Sequence, residues 1–280
     1  MKLAVRGVTY TVDVRGEGPA VLLLHGFTGT LEAWTPLLAA FEGFRVVRVD
    51  FLGHGGSDAP GDPQRYAMAE CVADLFALLD SLGLERAAVV GYSMGGRVAL
   101  RLALAVPERC WALVLESASP GIGEAAERER RIAADEELAQ LLEREGISAF
   151  VDYWESLPLW ASQSSLPESV RRALRERRLR QRPHGLANSL RGLGAGRDAP
   201  VAGQLARLAH VPVLILTGAL DAKYVAYARA MLSELPSARW VNVAGVGHAV
   251  HLEAPHAYFD AVRPFLREHA PTTILAEQQR

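Results

Sequence analysis

Lysine is nearly missing from this chain: of its 30 basic residues only Lys2 and Lys223 are lysine, and the rest are arginine. That bias names no chemistry by itself, but the charge total excludes some. With 30 basic against 32 acidic residues the formal net charge is −2, so no bulk positive field exists to recruit nucleic acid or an anionic membrane. Cysteine is equally scarce. Cys71 and Cys110 stand 39 residues apart, with no CxxC and no Cys/His ligand spacing, which argues against a disulfide framework and against a zinc site. Long apolar runs are lacking too: a stretch such as Ala20 to Leu24 falls far short of the roughly 20 residues needed to cross a bilayer. The opening Met1-Lys2-Leu3-Ala4-Val5-Arg6-Gly7 mixes charge with its apolar residues and has no signal-peptide core. These absences set the expectation of a cytoplasmic protein with no metal, no nucleic-acid partner and no membrane partner, as a monomer or weak homo-oligomer.

What is present fits a folded enzyme-sized globule. Half of the 280 residues are hydrophobic and 22% are charged, a composition that excludes disorder and low-complexity scaffolds. Short apolar runs recur at Val8 to Val14, Ala20 to Leu24, Arg45 to Asp50, Ala87 to Gly91, Ala112 to Glu116, Val211 to Leu216 and Ala238 to Val243. Runs of this kind read as strands, most of them buried on both faces. Segments of helical period lie between most of them, including Cys71 to Leu82, Gly95 to Val106 and Tyr224 to Leu235. Strands alternating with helices predict an α/β protein with a mostly parallel sheet covered on both faces, and ligands then sit beyond the carboxyl ends of the strands.

The alternation breaks between about Ser119 and Leu205, where no strand is convincing and the pattern is helical from Glu124 to Glu145 and from Pro167 to Arg180. This stretch carries 13 arginines and no lysine between Glu124 and Pro200. The expected organisation is a core of residues 1–118 and 206–268, a helical cap insertion of residues 119–205, and a frayed tail over 269–280.

Gly91-Tyr92-Ser93-Met94-Gly95 follows a buried strand and opens a helix, the context that gives a G-x-S-x-G match its force. A serine at so sharp a corner sits in strained backbone, and side chains at the flanking glycines would strike neighbouring elements. Its Oγ is held at the strand tip, beside helix N–H groups that favour developing negative charge. Such a serine needs a histidine and an orienting carboxylate. Asp221 and His248 each follow a predicted strand, and the chain order Ser93, Asp221, His248 is that of an α/β-hydrolase. His251 and Glu253 are nearby alternatives, but His248 directly follows Gly247, where a short loop can aim it. His54 reads as a turn residue, His210 and His256 as surface or capping residues, and Asp50 and Asp58 as strand-end and turn aspartates. His25-Gly26-Phe27-Thr28-Gly29 follows the first buried run, and a loop there can set the Phe27 N–H beside the Met94 N–H as an oxyanion hole.

Further motifs narrow the family. Gly91-Tyr92-Ser93-Met94-Gly95-Gly96-Arg97, Glu116-Ser117-Ala118-Ser119-Pro120-Gly121, the run Glu127-Arg128-Glu129-Arg130-Arg131 with Asp135, the run Phe150-Val151-Asp152-Tyr153-Trp154-Glu155 with Leu157-Pro158-Leu159-Trp160, and Gly245-Val246-Gly247-His248 through Glu253 together resemble the 2-succinyl-6-hydroxy-2,4-cyclohexadiene-1-carboxylate synthases. These are lyases of menaquinone biosynthesis with the α/β-hydrolase fold. The resemblance runs from about Val21 to Leu266. Leu52 stands where a proline is common and Ala219 where a glutamate is common, neither at a reacting position.

The resemblance implies a substrate with three carboxylates, no cofactor, and pyruvate elimination begun by proton abstraction, with Ser93 as base rather than acylating nucleophile. It also implies substrate-binding roles for Arg131 and Arg178, whereas spacing alone offers Arg131 only an i,i+4 pair with Asp135. Arg178 is crowded by Arg171, Arg172, Arg175, Arg177, Arg180 and Arg182. Arg97 carries an argument of its own: four residues after Ser93 it lies one helical turn deeper on the same face, where its fork suits a carboxylate. Arg101 follows at the same spacing, so an exposed stripe is the competing reading. Tyr92 and Trp154 are candidate pocket walls. Two other functions stay open on the sequence: a serine esterase or carbon–carbon bond hydrolase, and a non-catalytic binding module of the same fold.

Overall fold

A computed structural model describes residues 1–271. In chain order the strands and helices are β1 (Lys2–Val5), β2 (Val8–Arg15), β3 (Ala20–Leu24), β4 (Arg45–Val49), α1 (Met68–Ser81), β5 (Ala87–Tyr92), α2 (Met94–Ala105), β6 (Cys110–Glu116), α3 (Ala125–Ser156), α4 (Glu168–Leu179), α5 (Pro183–Leu193), β7 (Val213–Gly218), α6 (Ala222–Glu234), β8 (Arg239–Val243), α7 (Val250–Glu253) and α8 (Pro255–His269). The strands form one sheet in the order β1-β2-β4-β3-β5-β6-β7-β8. β1 to β2 and β2 to β4 pair antiparallel; from β4 onward every pairing is parallel.

The apolar runs map onto the centre of this sheet because β3, β5 and β6 are covered on both faces. All residues of β3 and β6 are buried. One face packs Leu22, Leu24, Val89 and Leu113 against α1 and α2; the other packs Val21, Leu23, Val90 and Val114 against α8 and the 3-10 turns of Leu31–Phe41. A third cluster, built from Phe150, Trp154, Trp160, Leu186 and Leu190, joins α3 to α5 and includes Phe27 at its edge.

Five elements depart from the sequence reading. β1 was not expected: it is only four residues long and buries Val5 alone, so it carries no long apolar run. β7 starts at Val213 rather than Val211, since Pro212 has no N–H and its carbonyl serves β6 by accepting from the Leu113 N–H. The stretch after β6 holds a third helix, α5, whose buried face includes Gly185, Asn188 and Ser189 and so blurs the hydrophobic period. α3 also extends well past Glu145, bent at Gly146, whose φ of 81° is outside the helical region. The expected tail begins one residue early, as α8 continues to His269; residues 272–280 lie outside the described part of the chain.

Among the described residues no helix is long and apolar enough to cross a membrane. Leu22 is fully buried at the centre of β3, so Leu22→Ala should cost about 2–5 kcal/mol and lower Tm by roughly 5–15 °C. Leu220→Ala, at a side chain 63% exposed, should move Tm by no more than a degree or two, about the effect of a neutral surface change. Thermal unfolding of the two variants beside the parent checks both.

Candidate active site

The carboxyl ends of β5, β7 and β8 meet at one edge of the sheet, and the loops that leave them carry Ser93, Asp221 and His248. Ser93 has φ 54° and ψ −110°, a conformation that costs a non-glycine residue on the order of 1–3 kcal/mol. Its N–H is held by the Glu116 carbonyl at 2.8 Å. The two flanking glycines leave the corner no slack: a Cβ on Gly91 would lie 2.3 Å from the Gly95 carbonyl oxygen, and one on Gly95 would lie 2.2 Å from that of Leu24.

His248 Nε2 lies 2.9 Å from Ser93 Oγ, and His248 Nδ1 lies 2.6 Å from Asp221 Oδ2. With Asp221 ionised, the network assigns the proton to Nδ1 and lets Nε2 accept from the serine hydroxyl. The imidazole is buried and packed against the rings of Tyr92, Trp160 and Tyr224 at centroid distances of 5.4, 5.5 and 4.5 Å. The rivals take other work. The His251 ring and backbone N–H both donate to the Glu116 carboxylate, at 2.8 and 3.0 Å, and Glu253 accepts from the N–H groups of Gly247 and Ala249 at 2.7 and 3.1 Å. Glu253 thus clamps the chain on both sides of His248.

Facing Ser93 is the loop after β3. Thr28 adopts φ 64°. The His25 ring fastens the loop from inside, with Nδ1 donating to the Gly26 carbonyl at 2.8 Å and Nε2 accepting from the Phe51 N–H at 3.1 Å. From the other side Gln181 donates to the Thr28 and Gly29 carbonyls at 3.1 Å each and accepts from the Gly55 N–H at 2.9 Å. Met94 opens α2, so its N–H has no acceptor within the helix. Burial lowers the His25 pKa to about 4 and that of neighbouring His54 to about 3, so both rings stay neutral in the fold.

Ser93 and His248 open onto a cavity of about 570 Å³. Phe27, Tyr92, Met94, Arg97, Arg131 and Trp154 also line it. Arg97 is buried, not part of an exposed stripe. Its Nη2 donates to the Leu193 carbonyl at 2.6 Å, while its Nη1 is buried without a hydrogen-bond partner. Arg131 makes the expected pair with Asp135 at 2.8 Å and still borders the cavity. Arg178 is placed differently: it is not among the lining residues, but bonds Glu155 at 2.9 Å with its guanidinium 5.4 Å from the Trp160 ring centre. A half-buried glutamate in reach and an aromatic face beside it hold the side chain there. Sequence reading overlooked Gln181 and Tyr224. The first acts only on distant backbone and leaves no local signal; the second sits three residues after Asp221 on the opening turn of α6, a spacing that would have found it. Among the described residues no group of three or more His, Cys, Asp or Glu could hold a metal ion.

Comparison with known proteins identifies the family. The family described as alpha/beta hydrolase fold matches residues 19–255, and the chain belongs to it. A relative from Bacillus subtilis (strain 168), named provisionally as a 2-succinyl-6-hydroxy-2,4-cyclohexadiene-1-carboxylate synthase, is 42% identical over 93% of this chain and 95% of its own length. The synthase of that name from Serratia proteamaculans (strain 568) is 31% identical over 89% of this chain and 94% of its own. The solved structure of MenH from S. aureus superposes with a TM-score of 0.88 at 32% identity, covering 94% of this chain and 99% of that one. Within the hydrolase fold, the chain is therefore a member of the 2-succinyl-6-hydroxy-2,4-cyclohexadiene-1-carboxylate synthase family.

The neutral, buried His54 ring gives a pH prediction. Below pH 6.5 the unfolded chain protonates this histidine, while the folded protein refuses the proton until about pH 3. The unfolded state then binds more protons, so the His54 contribution to stability falls as pH drops through that interval. Between pH 6.5 and 5 the parent should lose stability faster than His54→Gln, by up to about 1.4 kcal/mol per pH unit. Urea unfolding at several pH values measures both slopes, and parallel curves would remove the assignment.

Proposed function

We propose that this chain eliminates pyruvate from 2-succinyl-5-enolpyruvyl-6-hydroxy-3-cyclohexene-1-carboxylate, giving 2-succinyl-6-hydroxy-2,4-cyclohexadiene-1-carboxylate in menaquinone biosynthesis. One observation carries the reading: the Ser93-His248 pair and the buried guanidinium of Arg97 line one cavity. A substrate carboxylate offsets the charge of that buried guanidinium with charge-assisted hydrogen bonds. A neutral ester does not.

In this reading Ser93 Oγ gives its proton to His248 Nε2 and removes the ring proton beside the succinyl carbonyl. The Phe27 and Met94 N–H groups hold the enolate oxygen that forms. The enolate electrons then shift through the ring double bond and expel the enolpyruvyl oxygen. The abstracted proton ends on the departing pyruvate, so the site returns to its starting protonation without water or a cofactor. Asp221 holds His248 in the required tautomer and stabilises its charged form. Arg97 and Arg131 bind carboxylates, Tyr92 and Trp154 wall the ring, and residues 119–205 act as the cap over the core. Arg178 supports the Trp160 side of that wall and needs no contact with substrate.

The test is pyruvate release and diene appearance from the enolpyruvyl substrate, measured beside a panel of p-nitrophenyl esters. Elimination with feeble ester cleavage is the expected result. Brisk ester turnover without elimination would replace the lyase by a serine esterase, and neither activity would leave a binding module. Ser93→Ala, His248→Ala and Asp221→Asn should each lower kcat by roughly 10³-fold or more. Arg97→Ala should cost about 2–5 kcal/mol in kcat/KM, and unchanged kinetics would take Arg97 out of the site.

A further inference from the structure

Arg97 is not the only cation on its side of the cavity, and the distribution of acids among the arginines is uneven. Arg97 and Arg101 project from successive turns of α2 toward one carboxylate, Asp198, which follows α5 and is itself buried. Asp198 Oδ1 lies 2.5 Å from Arg101 Nη2, whereas its Oδ2 is 3.8 Å from Arg97 Nη1, beyond hydrogen-bonding distance. Arg101 does not line the cavity; Arg97 does. The second acid near Arg97 is Asp135, and it too is held elsewhere, by Arg131 at 2.8 Å. Burial disfavours the charge on Arg97, and Asp198 and Asp135 favour it. Both acids therefore steady the cation from a distance while each gives its short bond to another arginine. Arg97 keeps its charge without spending Nη1.

We propose that Arg101 is a specificity-determining residue: by engaging Asp198 outside the cavity, it keeps that carboxylate from closing on Arg97 and drawing the guanidinium away from the cavity it lines. Arg101 acts through Asp198 and touches no substrate, so it is a positioning residue. The inference rests on the reading that the cavity takes a polycarboxylate. Without Arg101, Asp198 needs to move by less than 1 Å to complete a hydrogen bond with Arg97, given a gap of 3.8 Å against an ordinary bond of about 2.9 Å. The substrate then competes with an internal acid for the same guanidinium.

Two substitutions should move binding in opposite directions. R101M should raise KM for the enolpyruvyl substrate by about fivefold or more, and D198N should lower it by about threefold or more, each with kcat within about twofold of the parent. A purely structural role predicts losses in both. Distant charge alone also gives opposite signs, so the pair is measured again in about 0.5 M KCl, where the Debye length is about 4 Å and distant charges are screened. A contact between buried groups persists there. The double variant R101M/D198N should bind at least as well as the parent, since the competing acid is gone. KM rising in both single variants, unchanged in either, or converging on the parent at high salt would overturn the proposal. Should D198N not fold, R101M at high salt decides alone. R97M separates this inference from the reading beneath it: normal kinetics in R97M sink the polycarboxylate assignment, whereas a crippled R97M with no split between R101M and D198N sinks only the role of Arg101.

Discussion

The corner at Ser93 is the constraint on which the rest of the site depends. The chain must leave β5 and enter α2 within one residue, and it does so with a non-glycine residue at φ 54°. That backbone persists because the surroundings allow nothing else: Gly91 and Gly95 are packed against neighbouring carbonyls with no room for a Cβ. Strain of this kind is tolerable where the scaffold over-determines the geometry. Here the scaffold is the buried centre of a parallel sheet, with β3 on one side of β5 and β6 on the other. The tip of β6 does double duty, since Glu116 takes the Ser93 N–H on its carbonyl and holds His251 with its carboxylate. The serine corner and the histidine loop are thereby tied to the same residue.

Around that corner the ionisable groups divide into those that fix backbone and those left for chemistry. Glu253 and Asp50 spend their oxygens on loop N–H groups, and His25 spends both ring nitrogens on the loop after β3. Asp221 instead faces His248, and His248 faces Ser93. Preorganisation of this sort lets a serine and histidine work without rearrangement at the moment of reaction. Nothing in the arrangement of the three residues distinguishes abstraction of a proton from attack on an ester. The distinction lies in what the cavity holds in place, and the charge of a buried arginine in its lining favours an acid.

Much of this was legible in the sequence, for reasons that also explain what was not. Strands buried on both faces must be continuously apolar, so Ala20 to Leu24 and Ala112 to Glu116 announced themselves. The G-x-S-x-G corner was readable because its strand, helix and glycines adjoin one another. The edge strand β1 and the helix α5 were hidden, one by its four-residue length and the other by small and polar residues on its buried face. The arginines mark the limit most sharply. Arg97 could be argued from its place one turn below Ser93, but nothing local tells Arg178 from its neighbours. Only its contacts with Glu155 and Trp160 show where it sits. Gln181 is the plainest omission, since its three partners are all distant backbone groups.

In the proposed mechanism Ser93 removes a proton and is never acylated. The most direct measurement is the intact mass of the protein, quenched on the millisecond scale through a single turnover of the enolpyruvyl substrate. Proton abstraction by Ser93 leaves an unmodified mass at every time point while pyruvate accumulates. A transient adduct that maps to Ser93 and disappears as product forms would contradict it.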